Sequence, residues 1–169
     1  FWAARNAGPV ALPGTYTVHL TVDDNAPQEQ TFQVKLDPRL DERVAMADLQ
    51  ERFDLAMQVR DRVSEANEAV LDIRLIKGEV DNRLELTDDE EIQEVGTEVN
   101  TKLSDVEGEI YQVRNQSNQD PLNFPIKLNN KLAALLGIVE SGEAAPTEQT
   151  YEVYNVLSDR LNVQMSLFQ

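Results

Sequence analysis

The chain of 169 residues contains no cysteine, and it contains no proline between residues 39 and 120. The absence of cysteine excludes disulfides, thiol nucleophiles and cysteine-based zinc sites together. No apolar run reaches the length of a membrane span, so we expect no membrane insertion. The sequence also offers no nucleophile paired with a base, no metal-ligand cluster and no phosphate-binding loop. We therefore expect no catalytic residues, no metal and no cofactor.

Positive charge is scarce as well, because 15 basic residues face 31 acidic ones and the net charge is −16. The excess lies in residues 41–120, where 22 acidic and 9 basic side chains give −13. A surface of this sign repels nucleic acid and anionic lipid, so neither is expected as a direct partner. The simplest role of these acidic helix faces is solvation.

Residues 15–22 alternate apolar and polar side chains, a pattern typical of a half-buried strand. A turn-rich stretch, residues 23–27, separates them from a second alternating run, and the pair predicts a β-hairpin introduced by the Pro13-Gly14 turn. Its apolar face carries Tyr16, Val18, Leu20 and Val22, followed by Phe32, Val34 and Leu36. A two-stranded hairpin is marginally stable in water, so we expect further strands or a helix to cover this face. The Phe1-Trp2 segment is a candidate for part of a third strand.

Apolar residues recur every three or four positions through residues 39–120, which predicts two long helices folded back on each other. The first helix should begin between Asp41 and Asp48. Its apolar stripe consists of Met46, Leu49, Phe53, Ala56, Val59, Val63, Ala66, Val70, Ile73, Ile76, Val80 and Leu84, widened by Leu55, Leu71 and Leu75. A capping box, Thr87 to Glu90, should start the second helix. Its narrow coiled-coil seam consists of Ile92, Val95, Val99, Leu103, Val106, Ile110 and Val113.

A polar loop, residues 115–123, precedes two shorter helices. Pro125 is expected in the first turn of the third helix and Gly142 at its end, with Leu128, Leu132, Leu135 and Val139 on its apolar face. Pro146 and Thr147 should open the fourth helix, whose stripe is Tyr151, Tyr154, Leu157, Leu161, Met165 and Phe168. We predict a mainly α protein with a small β part. An antiparallel up-and-down bundle of two long and two shorter helices, residues 39–169, follows a β-hairpin in residues 1–38.

His19 is the only histidine and lies on the polar face of the first strand, so we expect an ordinary surface side chain rather than a base or a ligand. The densest carboxylate run, Asp88 to Glu91, has the composition of a glycosidase acid pair, but a helix start favours negative charge and explains it without catalysis. The turn from Asp23 to Glu29 offers oxygen ligands for calcium without the spacing of an EF-hand. Asn115-Gln116-Ser117 is a formal glycosylation sequon.

Asn129 and Asn130 lie in the third helix although both are poor helix formers. Two interpretations remain open for them. One is a structural hydrogen-bond network joining the third helix to the loop before it. The other is a role in binding a partner.

Four segments together resemble the C-terminal region of large bacterial BNR-repeat, sortilin-like β-propeller proteins, often labelled glycosyl hydrolase. They are GPVALPGTYTVHLTV (8–22), DPR with DLQERFDLAMQVRDRVSEANEAVLDIR (37–39 and 48–74), QDPLNFPIKLNNKLAALLG (119–137) and APTEQTYEVYNVLSDRLN (145–162). The resemblance implies that residues 1–38 are part of an Ig-like β-module, that residues 39–169 are a helical appendage, and that the protein is secreted, periplasmic or on the cell surface. No propeller repeat of the S-x-D-x-G-x-T-W kind occurs in the chain.

Three functions follow in order of preference. The first is a non-catalytic C-terminal accessory module of such a protein, cut from a longer precursor and mediating assembly or protein contact. The second is a structural subunit of an extracellular assembly, completed by strand pairing with another chain. The expected partner is a protein, either the protein's own upstream domains or other copies of the chain, which would form a homo-oligomer through strand pairing. The third is a fragment of a glycan- or peptide-acting hydrolase whose site lies elsewhere. The expected contact residues are Tyr16, Val18, Leu20, Phe32, Val34, Asn129 and Asn130.

Overall fold

A computed structural model describes residues 8–23, 25–40, 43–117 and 119–169. Those residues form strands β1 (Gly14–Leu20) and β2 (Gln28–Val34), then helices α1 (Met46–Leu84), α2 (Glu90–Ile110), α3 (Leu128–Val139) and α4 (Glu148–Phe168). A single 3-10 turn, Asp120–Leu122, lies in the loop before α3. The predicted fold class is confirmed as a helical bundle preceded by a β-hairpin. The Phe1-Trp2 segment lies outside the described residues.

The two strands pair in antiparallel register, with Tyr16 opposite Phe32 and Gly14 opposite Val34. Both strands end earlier than the alternating pattern predicted, since Val22 and Leu36 lie beyond their ends. Neither strand lies along any of the helices, and only the base of the hairpin, at Val34, approaches the start of α1.

The second and third helices run in succession along α1 in the opposite direction. Arg74 of α1 bonds Glu107 near the end of α2, and Asn67 bonds Asn129 at the start of α3. Closer to the N-terminus of α1, Arg52 donates to the carbonyl of Gly142, just past α3. Helix α2 therefore covers the C-terminal half of α1, called here the upper half. Helix α3 covers the N-terminal half, called here the lower half.

The fourth helix runs parallel to α1. The hydroxyl of Tyr151 donates to Glu51, and Arg62 donates to the carbonyl of Ser158 and to Oδ1 of Asn162. The lower half of α1 thus forms a compact bundle with α3 and α4. Above it α1 and α2 project as a two-helix pair, called here the helical arm, residues 76–102.

The core lies where α1, α3, α4 and the end of α2 meet. Its fully buried large side chains include Leu55, Val59, Ile73, Ile110, Leu132 and Leu161. The stripe predicted for α4 is confirmed, because Leu157 and Leu161 are buried and the other four residues pack against the core. Leu71 and Leu75 do not widen the stripe of α1 as predicted; both are largely exposed, on the side of α1 away from Ile73. The upper part of the α2 seam is exposed too, because α4 does not extend along the arm.

Three predicted helix boundaries are corrected. The N-cap of α2 is Asp89 rather than Thr87, since the Asp89 carboxylate accepts from the amides of Glu91 and Ile92. Pro125 precedes α3 instead of occupying its first turn, and its carbonyl accepts a hydrogen bond from Gln112. Helix α3 ends at Val139, before Gly142. The start of α4 is as predicted, with Thr147 accepting from the amide of Thr150.

Candidate protein-contact site

The apolar face of the β-hairpin is organised around one aromatic pair. The rings of Tyr16 and Phe32, which are cross-strand partners, stack with centroids 5.9 Å apart and an interplanar angle of 28°. The Tyr16 hydroxyl donates to the carbonyl of Leu12 at 2.7 Å. Cross-strand aromatic pairs stabilise a hairpin, so this contact fixes the register and holds the face in place.

Most of this face is open to solvent. Val18, Leu20 and Phe32 are each about half exposed. Val18 lies opposite Gln30, and Leu20 lies opposite Gln28, so neither aliphatic side chain has an apolar cross-strand partner. A row of exposed apolar side chains on one sheet face is characteristic of a surface that another element covers.

Val34 occupies a different position from the other predicted contact residues. It lies opposite Gly14 at the base of the hairpin and is half-buried. Together with Leu36, Val44 and Met46 it lines a crevice between the hairpin and the start of α1. Val34 therefore belongs to the junction with the helices, whereas the other four hairpin residues lie together on the open face.

The opposite face of the hairpin is polar. Thr17 pairs with Thr31, and Nδ1 of His19 lies 3.1 Å from Oε1 of Glu29, with both side chains mostly exposed. His19 is thus a surface residue, as predicted. Only one face of the hairpin has the composition of a contact surface.

Both outer edges of the hairpin also lack a neighbouring strand, because the sheet in the described residues has two strands only. An unpaired edge presents a row of backbone N–H and C=O groups that can bind another strand. The apolar face and the two edges together form the candidate contact site.

Asn129 and Asn130 are remote from this site, at the start of α3. The buried Asn129 side chain donates from Nδ2 to Oδ1 of Asn67 at 3.2 Å, and its own Oδ1 accepts from the Asn130 amide at 2.7 Å. Asn129 therefore takes part in a structural hydrogen bond, but that bond joins α3 to α1 and not to the preceding loop as predicted. Asn130 is half-buried beside it.

The acidic run Asp88 to Glu91 lies at the start of α2, where Asp89 is the N-cap. In the calcium-like turn, Asp24 lies outside the described residues, and Glu29 is paired with His19. Across the residues that the structure describes, no three histidine, aspartate or glutamate side chains are placed to hold a metal ion. Nor does any described helix combine the length and the apolar character that crossing a membrane requires.

The sequon at Asn115 lies in a tight turn built on Asp120. The carboxylate of Asp120 accepts from the amides of Gln116 and Ser117 and from the Ser117 hydroxyl. The backbone hydrogen bond from Gln116, followed by the two from Ser117, lowers the pKa of Asp120. The Ser117 hydroxyl, which completes the sequon, is thus held within the turn.

The sequence patterns did not reveal one group of side chains that form hydrogen bonds between α1 and α2. Gln93, Asn100 and Glu107 recur every seventh residue on one flank of α2. Gln93 donates to the carbonyl of Leu84 at 2.6 Å, Asn100 donates to Oδ1 of Asp81 at 2.6 Å, and Glu107 accepts from Arg74 and Lys77. These contacts, called here the polar ladder, tie α2 to α1 along its length. The heptad spacing of the three polar residues is the signal that could have revealed it.

Glu107 is the buried member of the ladder. Burial opposes its ionisation, but the hydrogen bonds and charges of Arg74 and Lys77 outweigh that effect and lower its pKa. A carboxylate placed between two cations on the facing helix fixes the register of α1 against α2.

Comparison with protein-family models, curated protein sequences and solved structures finds no match to this chain.

Proposed function

We propose that the chain is a non-catalytic protein-contact module whose β-hairpin is completed by a strand from another chain. The observation that supports this most is the exposed row Val18, Leu20 and Phe32, on the part of the hairpin that no helix covers. Strand addition to such an edge gives affinity through backbone hydrogen bonds, and alternate side chains give specificity.

Charge favours the hairpin over the helices as the region where two copies meet. Residues 1–40 carry 4 acidic and 3 basic side chains, a net charge of −1, against −13 for residues 41–120. Two copies can approach through the nearly neutral hairpin without the repulsion that the helices would produce. A second copy is therefore a suitable partner for the hairpin.

The resemblance of the segments 8–22, 37–39, 48–74, 119–137 and 145–162 supplies the proposed setting. In it, the chain is a C-terminal accessory module of a secreted or cell-surface bacterial β-propeller protein, with the hairpin as the end of an Ig-like module. The related alternative is a structural subunit whose assembly consists of the hairpin contact itself.

Neighbouring residues on opposite faces of β1 provide a matched test. Val18→Lys places a charge on the apolar face, whereas Thr17→Lys places the same charge on the polar face. In sedimentation velocity across a concentration series, the unaltered chain and Thr17→Lys should self-associate and Val18→Lys should remain monomeric. Equal behaviour of the two variants would refute the apolar face as the contact. Circular dichroism should show unchanged helix content in both, because the strands do not pack against the helices.

The non-catalytic part of the proposal has a separate test. The chain should show no turnover on a broad glycan and peptide panel, because the acidic run at Asp88 to Glu91 serves a helix start. Turnover that Asp88→Asn or Glu90→Gln abolishes would contradict it.

A further inference from the structure

The helical arm has an apolar furrow between its two helices. Four aliphatic side chains line it and remain exposed: Ile76 (40%), Ile92 (50%), Val95 (55%) and Val99 (36%). Three of them belong to the seam predicted for α2, and Ile76 belongs to the stripe predicted for α1. The furrow is thus an apolar row with helical spacing whose side chains the described residues leave partly exposed.

Three of these positions repeat a position that is buried beside α4. Val99 and Val95 precede Val106 by two and three helical turns, and Ile76 follows Ala69 by two turns. Val106 is 5% exposed and Ala69 is 3% exposed. The same flank of the α1–α2 pair is therefore buried at Ala69 and Val106 and exposed along the arm.

Helix α4 accounts for that difference. It contacts both α1 and α2, and its Leu157 and Leu161 share one core cluster with Ala69 and Val106. Because Arg62 bonds Asn162, the end of α4 at Phe168 reaches only about as far as residue 70 of α1. By helical spacing, the furrow continues the flank of α1 and α2 on which α4 packs, so one further helix can pack there in the same way.

The opposite flank of the arm is closed. On that flank the polar ladder joins α2 to α1, with Gln93 bonded to the carbonyl of Leu84 and Asn100 bonded to Asp81. A helix can therefore dock on the apolar flank alone.

Charge identifies the kind of helix. Residues 76–102 contain nine acidic and three basic side chains, a net charge of −6. Lys77 is paired with Glu107, Arg83 with Glu79 and Lys102 with Glu98, so no basic group is left to attract an acidic partner. A second copy of this chain would bring the same negative arm, and like charges disfavour that contact.

We propose that the furrow of the helical arm binds a basic amphipathic helix of a partner protein. Its apolar stripe would pack on Ile76, Ile92, Val95 and Val99 in the manner of α4, and its lysine or arginine side chains would meet the excess carboxylates of the arm. This inference rests on the proposed protein-contact role and names a second surface for it, separate from the hairpin.

The test uses the full chain and two synthetic helical peptides of about 20 residues. Both carry leucine at heptad a and d positions; one has lysine and the other glutamate at the flanking positions. Binding is followed by fluorescence anisotropy at low and high salt. The furrow variant is Ile92→Gln with Val95→Gln, and the matched control is Val153→Gln with Val156→Gln, two similarly exposed valines on α4.

The basic peptide should bind saturably, more weakly at high salt, and at least about ten-fold more weakly to the furrow variant. The control variant should change affinity by less than about two-fold. Equal binding of the acidic peptide, equal binding to the furrow variant, or no binding at all would overturn the proposal. So would sedimentation showing that the furrow variant abolishes self-association, because a second copy would then be the occupant. Failure of the peptide to bind leaves the Val18→Lys test of the hairpin unaffected.

Discussion

A Cβ atom on Gly96 of α2 would lie 2.5 Å from Cδ2 of Leu84 on the facing helix α1. Two further atoms of the same leucine, Cδ1 and Cγ, would lie within 3.1 Å. Glycine at this position lets the helices of the arm approach closely, which offsets the helix propensity that it costs. The other glycine of the helix, Gly108, has no neighbouring atom within 4 Å of the equivalent position.

The two glycines of α2 should therefore respond differently to alanine. Gly108→Ala should raise the free energy of unfolding by about 0.5 to 1 kcal/mol, because it improves helix propensity in open space. Gly96→Ala should be less stable than Gly108→Ala by about 1 to 3 kcal/mol, since Leu84 must move. Urea denaturation of both variants measures the difference. Equal stabilisation would mean that α1 and α2 do not approach at Gly96.

Two leucines that the sequence placed on the apolar faces of different helices, Leu71 on α1 and Leu132 on α3, should separate by burial. Leu132 is fully buried, so Leu132→Ala should cost about 2 to 5 kcal/mol. Leu71 is 64% exposed, and Leu71→Ala should cost less than about 0.5 kcal/mol. Thermal and urea unfolding compare the two. A similar loss at both positions would place Leu71 in the core.

The different burial of Leu132 and Leu71 shows how much of the fold the periodicity of apolar residues can predict. The spacing of apolar residues predicts every helix, the hairpin and the stripe of α4, because each has a regular amphipathic period. It cannot show that Leu71 and Leu75 point away from the core or that Ile92 and Val95 stay open. The first outcome depends on which side of α1 the other helices pack, and the second depends on how far α4 extends, so both are tertiary properties. The N-cap was misplaced because Thr87 and Asp89 are both good caps two residues apart.

Glu107 should make stability depend on pH. Its pKa is lowered in the folded chain, so its contribution is fully present above the unfolded value near 4.5 and is lost as the pH falls through the folded value. Glu107→Gln should cost about 1 to 3 kcal/mol at pH 7, a range kept low because Arg74 is half exposed and screened by solvent. The difference from the unaltered chain should shrink towards pH 3. A difference in unfolding free energy that stays constant across this pH range would show that the charge of Glu107 does not contribute to stability.

Asn129 and Asn67 should behave as a coupled pair. Replacing either by alanine removes the 3.2 Å hydrogen bond between α3 and α1, and Asn129→Ala also leaves the Asn130 amide without its acceptor. Asn129→Ala should cost about 1 to 3 kcal/mol. The double variant should cost less than the sum of the single ones, which a double-mutant cycle measures. Additive effects would show that the two side chains do not stabilise each other, and they would favour a partner-binding role for Asn129.

The candidate site was predicted in part. Tyr16, Val18, Leu20 and Phe32 fall on one strand face because alternation has a period of two, and the structure places them together. Val34 shares their period but lies at the junction with α1, and Asn129 is buried against Asn67. Sequence spacing assigns a residue to a face of its own element, but it does not show which other element packs there.

Hydrogen exchange of the hairpin across a protein concentration series tests the central claim most directly. If another chain completes the sheet, the outer-edge amides of Gly14–Leu20 and Gln28–Val34 should gain protection as concentration rises, together with an increase in mass by sedimentation. The helices should keep the same protection throughout. Full protection of the hairpin in a chain that stays monomeric at every concentration would mean that its edges and face are covered from within, and it would contradict the account.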